Sequence, residues 1–75
     1  MIHVNTVFTQ AAEKLLAGES GLIEFNYTVY PNIGDTLTVR TSPNNKTLTF
    51  VCKSRNFDFS STEIPELTIE LDSSL

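Results

Sequence analysis

Tryptophan is missing from this chain, and cysteine and histidine occur once each. Cys52 stands alone, so no disulfide can form within the chain and a cysteine zinc centre is excluded. His3 is the lone histidine, whereas a metal site needs three or four converging ligands; its reading is structural or merely exposed. Glycine and proline number three each and are dispersed, which leaves no phosphate-cradling loop. There is no carboxylate pair in a recognisable motif and no nucleophile with a base beside it in a turn. These gaps predict a protein that is not an enzyme and takes no cofactor or metal ion. No apolar run approaches the roughly 20 residues of a membrane span, and no basic segment leads into an apolar core, so the expectation is a cytoplasmic chain without membrane contact.

What is present is an ordinary globular composition, 40% hydrophobic and 19% charged over 75 residues. That length predicts a single domain over 1–75, with 72–75 as a frayed tail. A domain of this size buries only about 60% of its unfolded surface and holds a net stability of roughly 3–5 kcal/mol, so a deep enzymatic cleft is not expected.

The stretch LIEFNYTVYPNIGDTLTVR, residues 22–40, reads as strand, turn, strand. Ile23, Phe25, Tyr27 and Val29 alternate with Glu24, Asn26 and Thr28, the period of a strand with one face buried. Leu37 and Val39 repeat it. Pro31 and Asn32 suit the centre of the turn; Gly34 can take positive φ, and Asp35 can accept bonds from nearby amides. Ahead of this ribbon, Ile2 and Val4 mark a short strand over 1–5. Thr9 is a candidate N-cap for a helix over 10–17, with Phe8, Ala12, Leu15 and Leu16 on one stripe and Gly18 as the left-handed stop. After it, Ser42, Pro43, Asn44 and Asn45 form a second turn. Residues 46–53 read as a strand with Leu48, Phe50 and Cys52 facing the core, where the Cys52 thiol acts as a small hydrophobe. Residues 56–65 read as a polar connection interrupted by Phe57 and Phe59. Leu67, Ile69 and Leu71 close the fold as a last alternating strand.

Charge is segregated beneath a net value of -4. Arg40, Lys46, Lys53 and Arg55 lie in a segment, 40–55, without an acid; Asp58, Glu63, Glu66, Glu70 and Asp72 lie in 56–75 without a base. Opposite charge on adjacent strands serves solubility and register. Two functional readings stand beside that one. Glu63, Glu66, Glu70 and Asp72 can present a docking surface to a basic protein. Arg40, Lys46, Lys53 and Arg55 can contact phosphates, with Phe57 or Tyr27 stacking on bases, although so few bases in an acidic chain release few counterions.

The order strand, short helix ending in Gly18, strand carrying Glu24, then Ile33, Gly34, Asp35, Thr36 and Leu37 leading into the next strand resembles the small PUA-like barrels, in particular the ASCH-type domains. The resemblance spans residues 1–51 and is carried by element order and that turn. It implies a cleft for RNA or nucleotides lined by a glycine, a lysine, a glutamate and an arginine. Gly18 and Glu24 match the glycine and the glutamate; Ser20 or Gly21 stands at the lysine position and Asn26 at the arginine position, so the phosphate-holding cations are lost.

The expected fold is therefore α+β: a small bent antiparallel sheet, or partly closed barrel of about five strands, with one short N-terminal helix, PUA-like with SH3-like as the alternative. The expected function is a non-catalytic module, of accessory or inhibitor type, that binds another protein. Binding of RNA or a nucleotide through 40–55 is the alternative, and homodimerisation through an edge strand is compatible with both.

Overall fold

The computed structural model describes residues 3–23, 30–60 and 63–75, with the side chain of Leu22 excepted. Its elements in chain order are β1 (His3–Phe8), α1 (Gln10–Leu16), β2 (Ser20–Leu22), β3 (Thr36–Ser42), β4 (Thr47–Asp58) and β5 (Glu66–Ser73). The strands form one five-stranded sheet in the order β1-β5-β4-β3-β2, curled into a half-barrel with the short helix packed against it. Of the strand expected from Leu22 through Val29, Leu22 ends β2 and Ile23 follows it outside any strand, while 24–29, with Glu24, Asn26 and Tyr27, lie outside the described residues.

The sheet is mixed, not antiparallel as expected. Strand β5 is antiparallel to β4 but parallel to β1, with His3 beside Glu66 and Phe8 beside Leu71. The cause is connectivity. A hairpin forces its strands antiparallel, whereas β1 runs into α1 and never folds back on a neighbour, so its free side can receive β5 in the same direction.

Helix α1 starts as its sequence predicts. The Thr9 hydroxyl accepts from the Ala12 amide at 3.2 Å, filling one of the orphan donors of the first turn. The same hydroxyl donates to Asp72 Oδ1, and the Thr9 amide donates to the Leu71 carbonyl, so the cap is also the joint between helix and β5. The stripe is as expected, with Ala12 and Leu16 buried and Leu15 and Phe8 packed against the core. The stop is one residue earlier than expected: Ala17 takes the left-handed conformation at φ 52°, ahead of Gly18 at φ 84°.

The core is Phe50 and Cys52 of β4, Val39 of β3, Leu67, Ile69 and Leu71 of β5, and the helix stripe. Phe8 meets Phe50 edge-on, with ring centroids 5.4 Å apart. The first turn is centred on Ile33 and Gly34 instead of Pro31 and Asn32: Asp35 N donates to Asn32 O, and Asp35 Oδ2 accepts from Asn32 N at 2.8 Å. Gly34, at φ 95°, supplies the positive φ that turn requires.

Strand β4 is longer than its sequence pattern predicts. Residues 56–58, read as connection, pair with Thr68, Leu67 and Glu66 of β5. A register shift between Cys52 and Ser54 leaves Lys53 as the extra residue of a bulge. Strand β5 likewise runs further than expected. Asp72 and Ser73 belong to it, opposite Val51 and Phe50, so fraying is confined to the last residues, where Leu75 is almost fully exposed.

Candidate functional site

Three places gather chemistry. The first lies where α1 ends beside β2 and the β3–β4 turn. Glu19 is nearly buried, its side chain only 8% exposed. Its Oε1 accepts from the Thr41 hydroxyl at 2.9 Å and the Asn44 amide at 3.0 Å, and Oε2 lies 3.5 Å from Lys46 Nζ. Thr41, itself buried, accepts in turn from the Lys46 amide at 2.9 Å. The Thr41 hydroxyl bond, with the Asn44 amide and Lys46 behind it, holds the Glu19 carboxyl below its ordinary range despite the opposing effect of burial. Beside this latch runs an open groove of about 530 Å³ with Phe8 and Leu16 among its walls and Glu13 and Gly18 on it. Gly21 lets the Phe8 ring pack close: a Cβ there would stand 3.3 Å from Phe8 Cζ, so the ring would have to give by a few tenths of an ångström. Ser20 and Gly21 both line this groove.

The second place is the carboxylate row of β5. Glu66 and Glu70 point to the outer face, and each is bonded to its own chain: Glu66 accepts from Asn5 Nδ2 at 3.0 Å, Glu70 from Ser54 Oγ at 3.1 Å. Asp72 is held below its ordinary value by the Thr9 hydroxyl first and the Ser73 amide second, with Lys53 adding to the effect. Glu63, exposed, stands apart from the strand. The carboxylates proposed for docking thus share one strand apart from Glu63, and three of them knit β5 to β1, β4 and the helix cap. Among the described residues no group of His, Cys, Asp and Glu could hold a metal ion.

The third place is the far end of β4. Cross-strand partners share a face, so the bulge sets the facing of every later residue in the strand: Arg55 stands opposite Ile69 and Phe57 opposite Leu67, both of them core residues. Without the extra residue at Lys53 the inner face would carry Ser54, Asn56 and Asp58. Arg55 Nη1 donates to Pro31 O at 3.1 Å, and its guanidinium lies 5.4 Å from the centroid of Phe57. Phe57 stacks on Phe59 at 6.3 Å with planes 12° apart. Yet the two rings are 40% and 70% exposed, with Ile64 and Ile33 also exposed. Asp58, between them in sequence, has its carboxyl lowered by hydrogen bonds from the Ser60 side chain and backbone.

The basic residues do not converge. Arg40 is on the outer face of β3 opposite Thr47, Lys46 is tied to Glu19, Lys53 is the bulge, and Arg55 is on the inner face. From Lys46 to Arg55 along the strand is about 30 Å at ~3.3 Å per residue.

No protein-family model matches this chain, nor does any curated protein or solved structure.

Proposed function

We propose that the protein is a small non-catalytic interaction module that recognises another protein. The observation that carries this reading is the Phe57 and Phe59 pair, stacked, preorganised by Arg55, and left 40% and 70% exposed at the end of the longest strand. Aromatic side chains with few rotatable bonds, beside an arginine, are the groups that dominate binding energy at protein interfaces. Asp58 and Glu66, paired across the strands next to Phe57 and Leu67, give this end an acidic character suited to a partner with basic residues.

The test is affinity capture by the intact chain, with and without nuclease, compared with a Phe57→Ala, Phe59→Ala double variant whose fold is checked by circular dichroism. A partner retained after nuclease and lost with the double variant supports the reading. Retention indifferent to the aromatic substitutions sinks it.

Binding of RNA or a nucleotide in the manner of PUA-like domains is the second reading. It is favoured by the same stacked rings, which could receive a base. In that case affinity for single-stranded RNA falls steeply with salt and weakens with Lys53→Ala and Arg55→Ala together. Salt-independent or absent binding excludes it.

A further inference from the structure

We propose that the groove where α1 ends beside β2 binds a small organic ammonium ion, an amine carried on an aryl or alkyl body. Its volume of about 530 Å³ lies within the range of roughly 300–1,000 Å³ found for small-molecule sites. The site is distinct from the exposed rings of the protein-binding surface: Phe8, on its wall, stands beside Leu71 of β5, whereas Phe57 stands beside Leu67, nearer the other end of that strand.

Charge selects the sign of the ligand. Among the described residues the groove is lined by two carboxylates, Glu13 and Glu19, and by no cation. Glu19 is already engaged by Thr41, Asn44 and Lys46. Glu13 is exposed and forms no ion pair among the described residues. The residues three and four positions from it, Thr9, Gln10, Leu16 and Ala17, carry no positive charge, and Lys14, one position on, does not share its face of the helix. An uncompensated acid above apolar walls suits a cation with a hydrocarbon body. Phe8 and Leu16 receive that body, the Phe8 ring attracts positive charge to its face, and the Ser20 hydroxyl offers an acceptor for a second ammonium N–H. An anion is repelled by both carboxylates, and a neutral ligand of the same shape leaves Glu13 without its ion pair.

The test follows backbone amide chemical shifts of the whole chain, at low ionic strength, during titration with phenethylamine, phenethyl alcohol or phenylacetate. Phenethylamine is expected to move the Gly18, Ser20 and Gly21 amides with a dissociation constant of about 0.1–10 mM, the range open to so small a ligand in an open groove. Phenethyl alcohol binds about five-fold or more weakly, and phenylacetate leaves these amides unmoved. Glu13→Gln removes an exposed charge, keeps the fold by circular dichroism and weakens the amine about five-fold or more. Asp58→Asn removes the same charge elsewhere on the chain and leaves amine binding unchanged. Equal binding of the alcohol and the amine, binding indifferent to Glu13→Gln, an equal loss in Asp58→Asn, or unmoved groove amides at about 10 mM phenethylamine overturns the proposal.

Discussion

Ala17 holds a conformation that glycine holds more easily. At φ 52° its Cβ opposes the following carbonyl, a cost of about 1–2 kcal/mol for an L-residue, whereas glycine costs about 0.5–1 kcal/mol through its freer unfolded chain. The difference predicts that Ala17→Gly stabilises the domain by about 0.5–1 kcal/mol, read as a higher urea midpoint at unchanged slope. Glu19 supplies a contrast. Its partners sit 22 and 25 residues away, which is why nothing in its own neighbourhood marked it as the latch of the β3–β4 turn. Glu19→Ala should lower the melting temperature by several degrees, while Glu19→Gln keeps the Thr41 and Asn44 bonds and loses only a pair to a half-exposed lysine, a small contribution. Glu19, Asp58 and Asp72 all have lowered folded values, so each adds stability above its unfolded value, 4.5 for Glu19 and 3.8 for the aspartates, and loses it as pH falls through the folded one. Thermal melts should therefore drop as pH is lowered below about 4.5, and Asp72→Asn should make that drop shallower.

Elements differed in how plainly they could be read. Helix α1 was legible because its cap and stripe are local, repeating signals, and the core faces of β3, β5 and the first half of β4 were legible by alternation. Strand β4 beyond Cys52 was not. Its bulge at Lys53 breaks the period of two, so Phe57 and Phe59 read as an interruption of a loop when Phe57 continues the strand. The parallel seam of β1 and β5 left no trace in the sequence, since pairing direction between distant strands has no local code. The same bulge is open to test. Deleting Lys53 returns Ser54 and Asn56 to the inner face and moves Arg55 and Phe57 to the wet one, so the variant is expected to lose cooperative unfolding or the Phe57 contacts with β5, as read by circular dichroism and amide chemical shifts.

For the molecule as a whole, the helix is the lid of a small core. Leu16 is 6% exposed, and Leu16→Ala is expected to cost about 2–4 kcal/mol, comparable to the entire stability of a domain this size. A largely unfolded variant at 37 °C by circular dichroism is the expected result; a melting point within a few degrees of the wild type would show that the helix packs less tightly than its burial indicates. Glu66, Glu70 and Asp72, read from sequence as a docking surface, are in the folded chain bonded to Asn5, Ser54 and Thr9; the first and last of these contacts span more than 60 residues and the second 16, so none shows in a linear reading.

The strand that sits between β1 and β4 follows both of them in the chain. Until residues 66–73 arrive, β1 has no partner among the described strands and the inner face lacks Leu67, Ile69 and Leu71. Nascent chains short of β5 are thus condemned to wait with both flanks of the missing strand bare; β5 then meets β4 across a short connection, but its pairing with β1 brings together residues as far apart as His3 and Glu66. Folding in about the millisecond to second range, slow for so short a chain, is the kinetic signature to look for by stopped flow.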